Sequence, residues 1–195
     1  MRNAFSLIEA SDSILIIIDA QEHFLSRLEE QTAQRICLRI RWLAQLAGWM
    51  KIPVLVTAED VESNDTTAAI IRDVLPHGKR ALNKMVFSLT GQPDILAAVE
   101  GAKRNTAILV GLETDVCVQH SALGLVDRGY RVAVVVDATG SPQNGHEIGI
   151  RRMASAGVLL VSCKSLFYEW LPSLDSTRRF ERESGIDAPA DLYLG

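Results

Sequence analysis

No apolar run in this sequence is long enough to cross a membrane, because the longest runs, such as residues 14–18, span five residues and a spanning helix needs about 20. Basic residues are not in excess, since 20 Lys and Arg stand against 24 Asp and Glu, for a net charge of −4. We therefore expect neither a nucleic-acid partner nor a membrane partner. The first residues, MRNAFSLIEASDS, also lack the apolar core of a secretion signal, which predicts a cytoplasmic protein.

Residues that form disulfides or hold metals are scarce as well. The three cysteines are far apart and include no Cys-x-x-Cys pair, so a disulfide framework is not expected. The four histidines show no spacing typical of a metal site, and we predict neither a metal nor another cofactor. These residues are Cys37, Cys117 and Cys163, and His23, His77, His120 and His146.

The pattern that is present alternates short apolar runs with longer amphipathic stretches. Strands separated by helices predict an α/β fold, a three-layer α/β/α sandwich with a six-stranded, mainly parallel, Rossmann-like sheet. We expect a single domain over residues 1–195, with its core at 13–161 and a C-terminal helical extension and tail at 163–195. The predicted strands are 13–18, 54–57, 80–84, 106–110, 131–136 and 158–161, and the predicted helices are 25–50, 65–74, 93–100, 114–128 and 145–156.

Three polar side chains follow predicted strands at the ends where such sheets gather functional groups. Asp19 directly follows the first strand, Lys84 ends the third, and Cys117 comes after a short turn behind the fourth. Because the carboxyl ends of parallel strands share one edge, with neighbours about 4.8 Å apart, we expect these side chains to meet. A thiol beside a proton-accepting carboxylate and a stabilising ammonium is a nucleophile for carbonyl carbon.

Cys117 carries the strongest functional signal. The segment AILVGLETDVCVQH passes from an apolar strand into a helical pattern that begins near Thr114 or Asp115, so Cys117 is predicted in the first helical turn. Free backbone N–H groups there carry partial positive charge, and we expect them to favour the thiolate and to bind an oxyanion. A cysteine at such a position is often only a core residue, so the interpretation depends on all three side chains coming together.

Four segments resemble the isochorismatase-like cysteine hydrolases, a superfamily that includes nicotinamidases and carbamoylsarcosine amidohydrolases. The resemblance covers roughly residues 13–161 in the same order and spacing, and known members often form dimers or larger assemblies, so we expect a homo-oligomer. The segments are IIDAQEHF at 17–24, NKMVFS at 83–88, GLETDVCV at 111–118 and VVVDAT at 134–139.

The resemblance implies a catalytic triad with Asp19 as base, Lys84 as electrostatic partner and Cys117 as nucleophile. It also implies a cis peptide bond between Leu112 and Glu113, which would direct the Glu113 N–H, together with the Cys117 N–H, at the oxyanion.

Other residues are candidates for contact with the substrate. The resemblance implies that Phe24 lines the pocket and that Gln21 helps in positioning, with solvation as an equal alternative for Gln21. Glu59 and Asp60 follow the second strand at the same sheet edge, where they would either contact a substrate amine or serve as loop residues.

The chain departs from two branches of the resembled superfamily. Nicotinamidases hold a metal through an Asp-x-His pair and a further His behind the second strand, but residues 57–65 here read TAEDVESND. True isochorismatases lack the cysteine. The resemblance therefore favours the metal-free branch.

We predict a cofactor-independent hydrolase that cleaves a non-peptide C–N bond of a small amide or carbamoyl compound through a thioester. Three alternatives stay open: a catalytically idle binding or assembly protein on the same fold, an isochorismatase-type vinyl-ether hydrolase, and a thiol redox protein in which Cys163 approaches Cys117. The substrate's identity is not predicted.

Overall fold

The computed structural model describes residues 6–76 and 80–194. Its centre is a six-stranded sheet in which every strand pair is parallel, which confirms the predicted fold class. The strand order is β3-β2-β1-β4-β5-β6. The strands are β1 Ser13–Ile18, β2 Val54–Glu59, β3 Leu82–Lys84, β4 Thr106–Leu112, β5 Arg131–Gly140 and β6 Leu159–Val161.

Helices cover both faces of the sheet. The helices are α1 Glu22–Leu25, α2 Glu30–Trp49, α3 Val61–Asn64, α4 Ala69–Arg72, α5 Pro93–Gly101, α6 Gln119–Asp127, α7 Gly145–Ser155, α8 Cys163–Trp170 and α9 Leu174–Glu183. Short 3₁₀ turns occupy Ala10–Asp12 and Leu89–Gly91, and a π-helical turn occupies Thr114–Val118. Among the described residues, none of the helices combines the length and the apolar character that crossing a membrane requires.

The central strand β1 divides the core into two layers. Its successive side chains alternate between the faces of the sheet, so that Leu15 and Ile17 pack with α2, α8 and α9. Ile14, Ile16 and Ile18 pack with α5 and α6 on the other face. A strand buried on both faces needs apolar residues at every position, and this requirement explains the continuous ILIII run.

Three predicted helices differ by more than one residue from the structure. The predicted helix 25–50 is shortened to α2, because residues 26–29 are not helical, and Leu28 in that segment lies against Gly140 at the end of β5. The predicted helix 65–74 is reduced to α4, and the predicted helix 114–128 starts as the π-helical turn before α6.

The close approach of β1 and β4 depends on Gly111. Its φ is +117°, and a Cβ atom added there would lie 1.9 Å from the carbonyl oxygen of Ile18. Only glycine can fill such a position. The end of β4, and the turn that follows it, therefore come directly beside the end of β1.

Candidate active site

The sheet brings Asp19, Lys84 and Cys117 together at the carboxyl ends of its strands. The Lys84 Nζ atom lies 2.8 Å from Asp19 Oδ2 and 3.4 Å from Cys117 Sγ. The order β3-β2-β1-β4 helps to explain the meeting, because Asp19 and Cys117 follow the adjacent strands β1 and β4, and only β2 lies between β1 and the strand that ends at Lys84. The three groups share one small, largely buried cluster.

Asp19 sits at a sharp change of chain direction directly after β1. Its φ is +46°, a left-handed conformation that Asp tolerates better than most residues. The side chain is fully buried, and its Oδ1 accepts a hydrogen bond of 2.9 Å from the Thr57 hydroxyl. Burial raises the pKa of Asp19 by more than the neighbouring Lys84 ammonium and the hydrogen bonds lower it.

Lys84 is fully buried although it ends the short strand β3. Besides Asp19, its Nζ donates to the Val86 carbonyl oxygen at 2.8 Å and lies 3.5 Å from Glu59 Oε2. Burial alone would lower the pKa of Lys84, but the negative charges around it, Asp19 first, raise that pKa above its usual value. The side chain is therefore held as an ammonium.

Cys117 lies in the π-helical turn, with 3% of its surface exposed. Its thiol donates to Glu59 Oε2 at 3.2 Å. Burial, followed by the charge of Asp19, raises the pKa of Cys117, and the Lys84 ammonium only partly offsets them. This direction opposes the effect expected of the helix start, whose backbone N–H groups favour the thiolate.

Glu59 joins the cluster as a fourth charged group. It ends β2, and in the parallel register it is the direct partner of Lys84 in β3. Its carboxylate contacts both the Lys84 ammonium and the Cys117 thiol, while 21% of its side chain stays exposed. The structure thus makes this carboxylate part of the charged cluster, whereas its neighbour Asp60 caps α3 in a left-handed conformation.

Gln21 has a different place from the predicted one. It is fully buried, and its side-chain amide donates to the carbonyl oxygens of Glu59 at 2.9 Å and Asp65 at 2.7 Å. Its Oε1 accepts from the Glu59 N–H at 2.7 Å. Because the amide group is used in this way, Gln21 holds the loop behind β2 instead of facing a substrate.

A cavity of about 250 Å³ opens above the sulfur. Phe24 forms part of its wall, as predicted, and the Arg27 guanidinium lies 5.0 Å above that ring. Arg27 also pairs with Glu113 at 3.2 Å across the cavity mouth. The lining residues are His23, Phe24, Arg27, Glu59, Asn64, Phe87, Glu113, Val116 and Cys117.

The backbone before Cys117 has the form that the resemblance implies. The Leu112–Glu113 peptide bond is cis. The Glu113 carbonyl oxygen accepts from the N–H groups of Val116 at 3.2 Å and Val118 at 3.1 Å, so it is directed into the π-helical turn. Helix α7 packs on this turn, since a Cβ atom at Gly149 would lie 2.9 Å from the Asp115 Cα.

Among the described residues, Asp19, Glu59 and Cys117 form a group whose donor atoms, all within 4.8 Å of one another, could hold a metal ion. The Lys84 Nζ lies 2.8 Å from the first, 3.5 Å from the second and 3.4 Å from the third. The Lys84 ammonium therefore occupies the position that a central cation would take. We interpret the three side chains as the partners of Lys84. Of the four histidines, His77 lies outside the described residues.

The other two cysteines lie on the opposite face of the sheet from the cluster. Cys37 and Cys163 are buried in the layer that contains α2 and α8, whereas Cys117 belongs to the layer that contains α5 and α6. All three are free thiols. The sheet separates Cys163 from Cys117, which removes the basis for a redox pair.

Sequence reasoning missed three contributors to the site. Thr57 fixes Asp19, the Val86 carbonyl fixes Lys84, and Arg27 spans the cavity mouth. Thr57 and Val86 lie within segments quoted in the sequence analysis, but only the folded structure brings the Thr57 hydroxyl and the Val86 carbonyl to the cluster. Arg27 was assigned to a continuous helix, and the helix break turns it toward the cavity.

Comparison with known proteins gives a consistent result. The chain matches the sequence model of the Isochorismatase domain over residues 13–165. It is 28% identical to Isochorismatase family protein 2A of Dictyostelium discoideum, over 90% of each chain.

Solved structures agree with the sequence match. The MAR1 ribonuclease of Caenorhabditis elegans superposes with a TM-score of 0.82 at 25% identity, over 96% of this chain and 100% of that one. The YcaC gene product of Escherichia coli, described as an octameric hydrolase of unknown specificity, gives a TM-score of 0.79 at 20% identity, over 92% of this chain and 86% of that one.

Proposed function

The chain belongs to the isochorismatase family, and we propose that it is a cysteine-dependent hydrolase that cleaves a non-peptide C–N bond in a small amide or carbamoyl compound. One observation carries this proposal: the Cys117 sulfur lines a cavity while contacting an ammonium and a carboxylate. A thiol becomes an effective nucleophile when a base can take its proton and a cation stabilises its anion.

The reaction begins when the Cys117 thiol loses its proton to an adjacent carboxylate and the sulfur attacks the carbonyl carbon. The Lys84 ammonium, 3.4 Å from the sulfur, stabilises the thiolate during this step. In our proposal the backbone N–H groups of Glu113 and Cys117 bind the oxyanion. Loss of the amine leaves a thioester, and water then releases the acid. In the triad that the resemblance implies, Asp19 is the base that accepts this proton.

The cavity supports a small substrate. Its volume of about 250 Å³ lies below the range of about 300–1,000 Å³ that is usual for drug-sized ligands. Its walls combine aromatic rings with the carboxylates of Glu59 and Glu113. Carboxylates accept hydrogen bonds from an amide or amine and repel phosphate, so we do not extend the proposal to RNA.

The test is a panel of small amides and carbamoyl compounds scored for ammonia release, together with intact-protein mass spectrometry. We expect turnover and an acyl adduct in the wild-type protein, and neither in Cys117→Ala. Cys37→Ala is the matched control, because Cys37 lies on the other face of the sheet, and it should keep both. An acyl adduct on Cys117→Ala would refute the nucleophile.

We also propose that the chain forms a homo-oligomer. The apolar side chains of Met85 and Phe87 are 63% and 53% exposed at and beside the cavity mouth, a costly arrangement for a monomer in water. The YcaC gene product of Escherichia coli, which has a similar fold and is described as octameric, supports the same proposal. Light scattering coupled to size exclusion tests it, and a monomer at micromolar concentration would contradict it.

A further inference from the structure

The residue that supplies one of the proposed oxyanion N–H groups also carries a negative charge into the cavity. Glu113 belongs to the cavity wall, and 16% of its side chain is exposed. We propose that Arg27 neutralises the Glu113 carboxylate and so keeps the oxyanion site free of an opposing charge. This inference rests on the proposed hydrolase function. It makes Arg27 a positioning residue that acts through Glu113 and does not bind the substrate itself.

The conflict at Glu113 follows from covalent geometry. The carboxylate carbon of a glutamate is joined to its own backbone nitrogen through four bonds, which limit their separation to about 5 Å. An oxyanion bound at that N–H would therefore form close to a like charge. For charges about 5 Å apart, the repulsion slows oxyanion formation roughly 4-fold in bulk water and about 10²-fold or more at an effective dielectric constant of about 20.

The Arg27 guanidinium is held beside Glu113 by three contacts. Its Nη1 lies 3.2 Å from Glu113 Oε1, its Nη2 contacts Nε2 of His23, and its central carbon lies 5.0 Å from the Phe24 ring centroid, within the range of a cation–π contact. The His23 and Phe24 rings support each other edge to face, with centroids 5.0 Å apart. Both terminal nitrogens of the guanidinium are thus used by protein groups, which argues against a role as a substrate anchor.

The fold places the two charges on opposite sides of the cavity mouth. Arg27 lies in the non-helical segment between α1 and α2, where its backbone N–H donates to the Phe24 carbonyl oxygen at 3.2 Å. Glu113 directly follows β4. The Nη1–Oε1 contact therefore joins groups 86 residues apart in the chain, and no local sequence pattern requires it.

The other charges at the cavity cannot replace Arg27. Among the described residues that line the cavity, Arg27 is the one lysine or arginine, and Glu59 and Glu113 are the carboxylates. The nearby Lys84 ammonium meets Glu59 at 3.5 Å and Asp19 at 2.8 Å. Loss of the Arg27 charge would leave the Glu113 carboxylate without its cation at the wall. Acyl transfer should then slow, and the cavity should favour cationic over anionic substrates.

The experiment measures how fast Cys117 is acetylated by three small thioesters, with acid quenching and peptide mass spectrometry. The probes are acetylthiocholine, its neutral carbon isostere with a tert-butyl in place of the trimethylammonium group, and the anion S-acetyl mercaptopropionate. Each forms a C–S bond to Cys117 through the same oxyanion and releases a thiol, which takes the proton. With the neutral probe we expect Arg27→Gln to be slower by about tenfold, between the two limits given above. The loss should be smaller for the cation and larger for the anion.

A rescue variant separates charge from shape. In the Arg27→Gln background, Glu113→Gln removes the opposing charge and should restore the rate with the neutral probe to within about threefold of wild type, because the two side chains are directly coupled. Glu113→Gln alone should be faster than wild type, since the Arg27 charge then stands unopposed beside the oxyanion. The matched control is Arg35→Gln, which removes an exposed arginine of α2 and should keep all three rates.

Three results would overturn the inference. One is an unchanged rate in Arg27→Gln. The second is a double variant that stays as slow as Arg27→Gln, because Arg27 would then act only through the shape of the cavity. The third is a loss confined to the anionic probe, which would make Arg27 an anchor for a substrate carboxylate.

The same measurement distinguishes this inference from the proposed function. If none of the probes acetylates wild-type Cys117 faster than Cys37 and Cys163, the hydrolase proposal fails and the inference fails with it. If wild-type Cys117 is acetylated fast and the Arg27 and Glu113 variants match it, the hydrolase proposal stands and only the role of Arg27 is refuted.

Discussion

Replacing Lys84 with Met tests the electrostatic design of the cluster through stability alone, without a substrate. The substitution keeps the length of the side chain and removes the ammonium. Both Lys84 and Asp19 are fully buried, so the change leaves a carboxylate without its cation. The Val86 carbonyl oxygen, which accepts from Nζ at 2.8 Å, also loses its donor.

The size of the effect follows from the geometry. Two unit charges 2.8 Å apart attract each other by about 6 kcal/mol at an effective dielectric constant of about 20. Removing one member of a buried pair typically costs about 3–5 kcal/mol, since relaxation recovers part of the loss. We therefore expect Lys84→Met to lower the free energy of unfolding by about 3–5 kcal/mol at pH 7.5.

The loss of unfolding free energy in Lys84→Met should depend on pH in a defined direction. Burial already raises the pKa of Asp19 in the presence of Lys84, and loss of the ammonium raises it further. A carboxyl group whose pKa is higher in the folded than in the unfolded state favours folding as the pH falls. The deficit of Lys84→Met should therefore shrink from pH 7.5 to pH 5.5, by at most about 1.4 kcal/mol per pH unit.

The assay is urea unfolding followed by circular dichroism at fixed protein concentration, at both pH values. Lys103→Met, which removes an exposed lysine, is the control and should change stability by less than about 0.5 kcal/mol. The double variant Lys84→Met with Asp19→Asn should be more stable than Lys84→Met alone at pH 7.5. A deficit below about 1 kcal/mol, or one that is the same at both pH values, would refute the assigned ion pair.

Three further variants test the backbone and side chains that surround the site. Gly111→Ala places a Cβ atom 1.9 Å from the Ile18 carbonyl oxygen and should abolish soluble folded protein. The control Gly129→Ala, also at a positive φ but in open space, should remain folded and lose about 1–2 kcal/mol of unfolding free energy. Gln21→Ala removes the hydrogen bonds that hold the loop behind β2, and hydrogen exchange in that loop should accelerate at least about tenfold; unchanged protection would contradict its role. Burial lowers the pKa of His146, so the folded protein loses stability as the pH falls through about 6.5. In urea unfolding, the free energy of unfolding of His146→Gln should fall less between pH 7.5 and pH 5.5 than that of the wild type. An equal fall in both proteins would count against the lowered pKa of His146.

Much of the fold and part of the site follow from local pattern. Strand β1 has the pattern of a doubly buried strand because its positions 14–18 are all apolar, and its predicted bounds, residues 13–18, match the structure. Asp19, Lys84 and Cys117 are recognisable because each lies at or just beyond the carboxyl end of a predicted strand. The place of Gln21 was not predictable, since an amide after a strand can face either a loop or a cavity, and the loop that binds it lies 38 or more residues further along the chain.

The sequence by itself indicated the parallel sheet, the edge at which polar groups collect and Cys117 as the candidate nucleophile, because each depends on local sequence pattern and on the order of strands and helices. The tertiary structure decided the ionisation of the cluster. The spacing of residues along a chain does not reveal how deeply a thiol is desolvated or which carboxylate meets it. Burial raises the pKa of Cys117, and the register of β2 with β3 brings Glu59 beside it. Both effects arise from distances of a few ångströms between groups from separate elements, which only the folded chain defines.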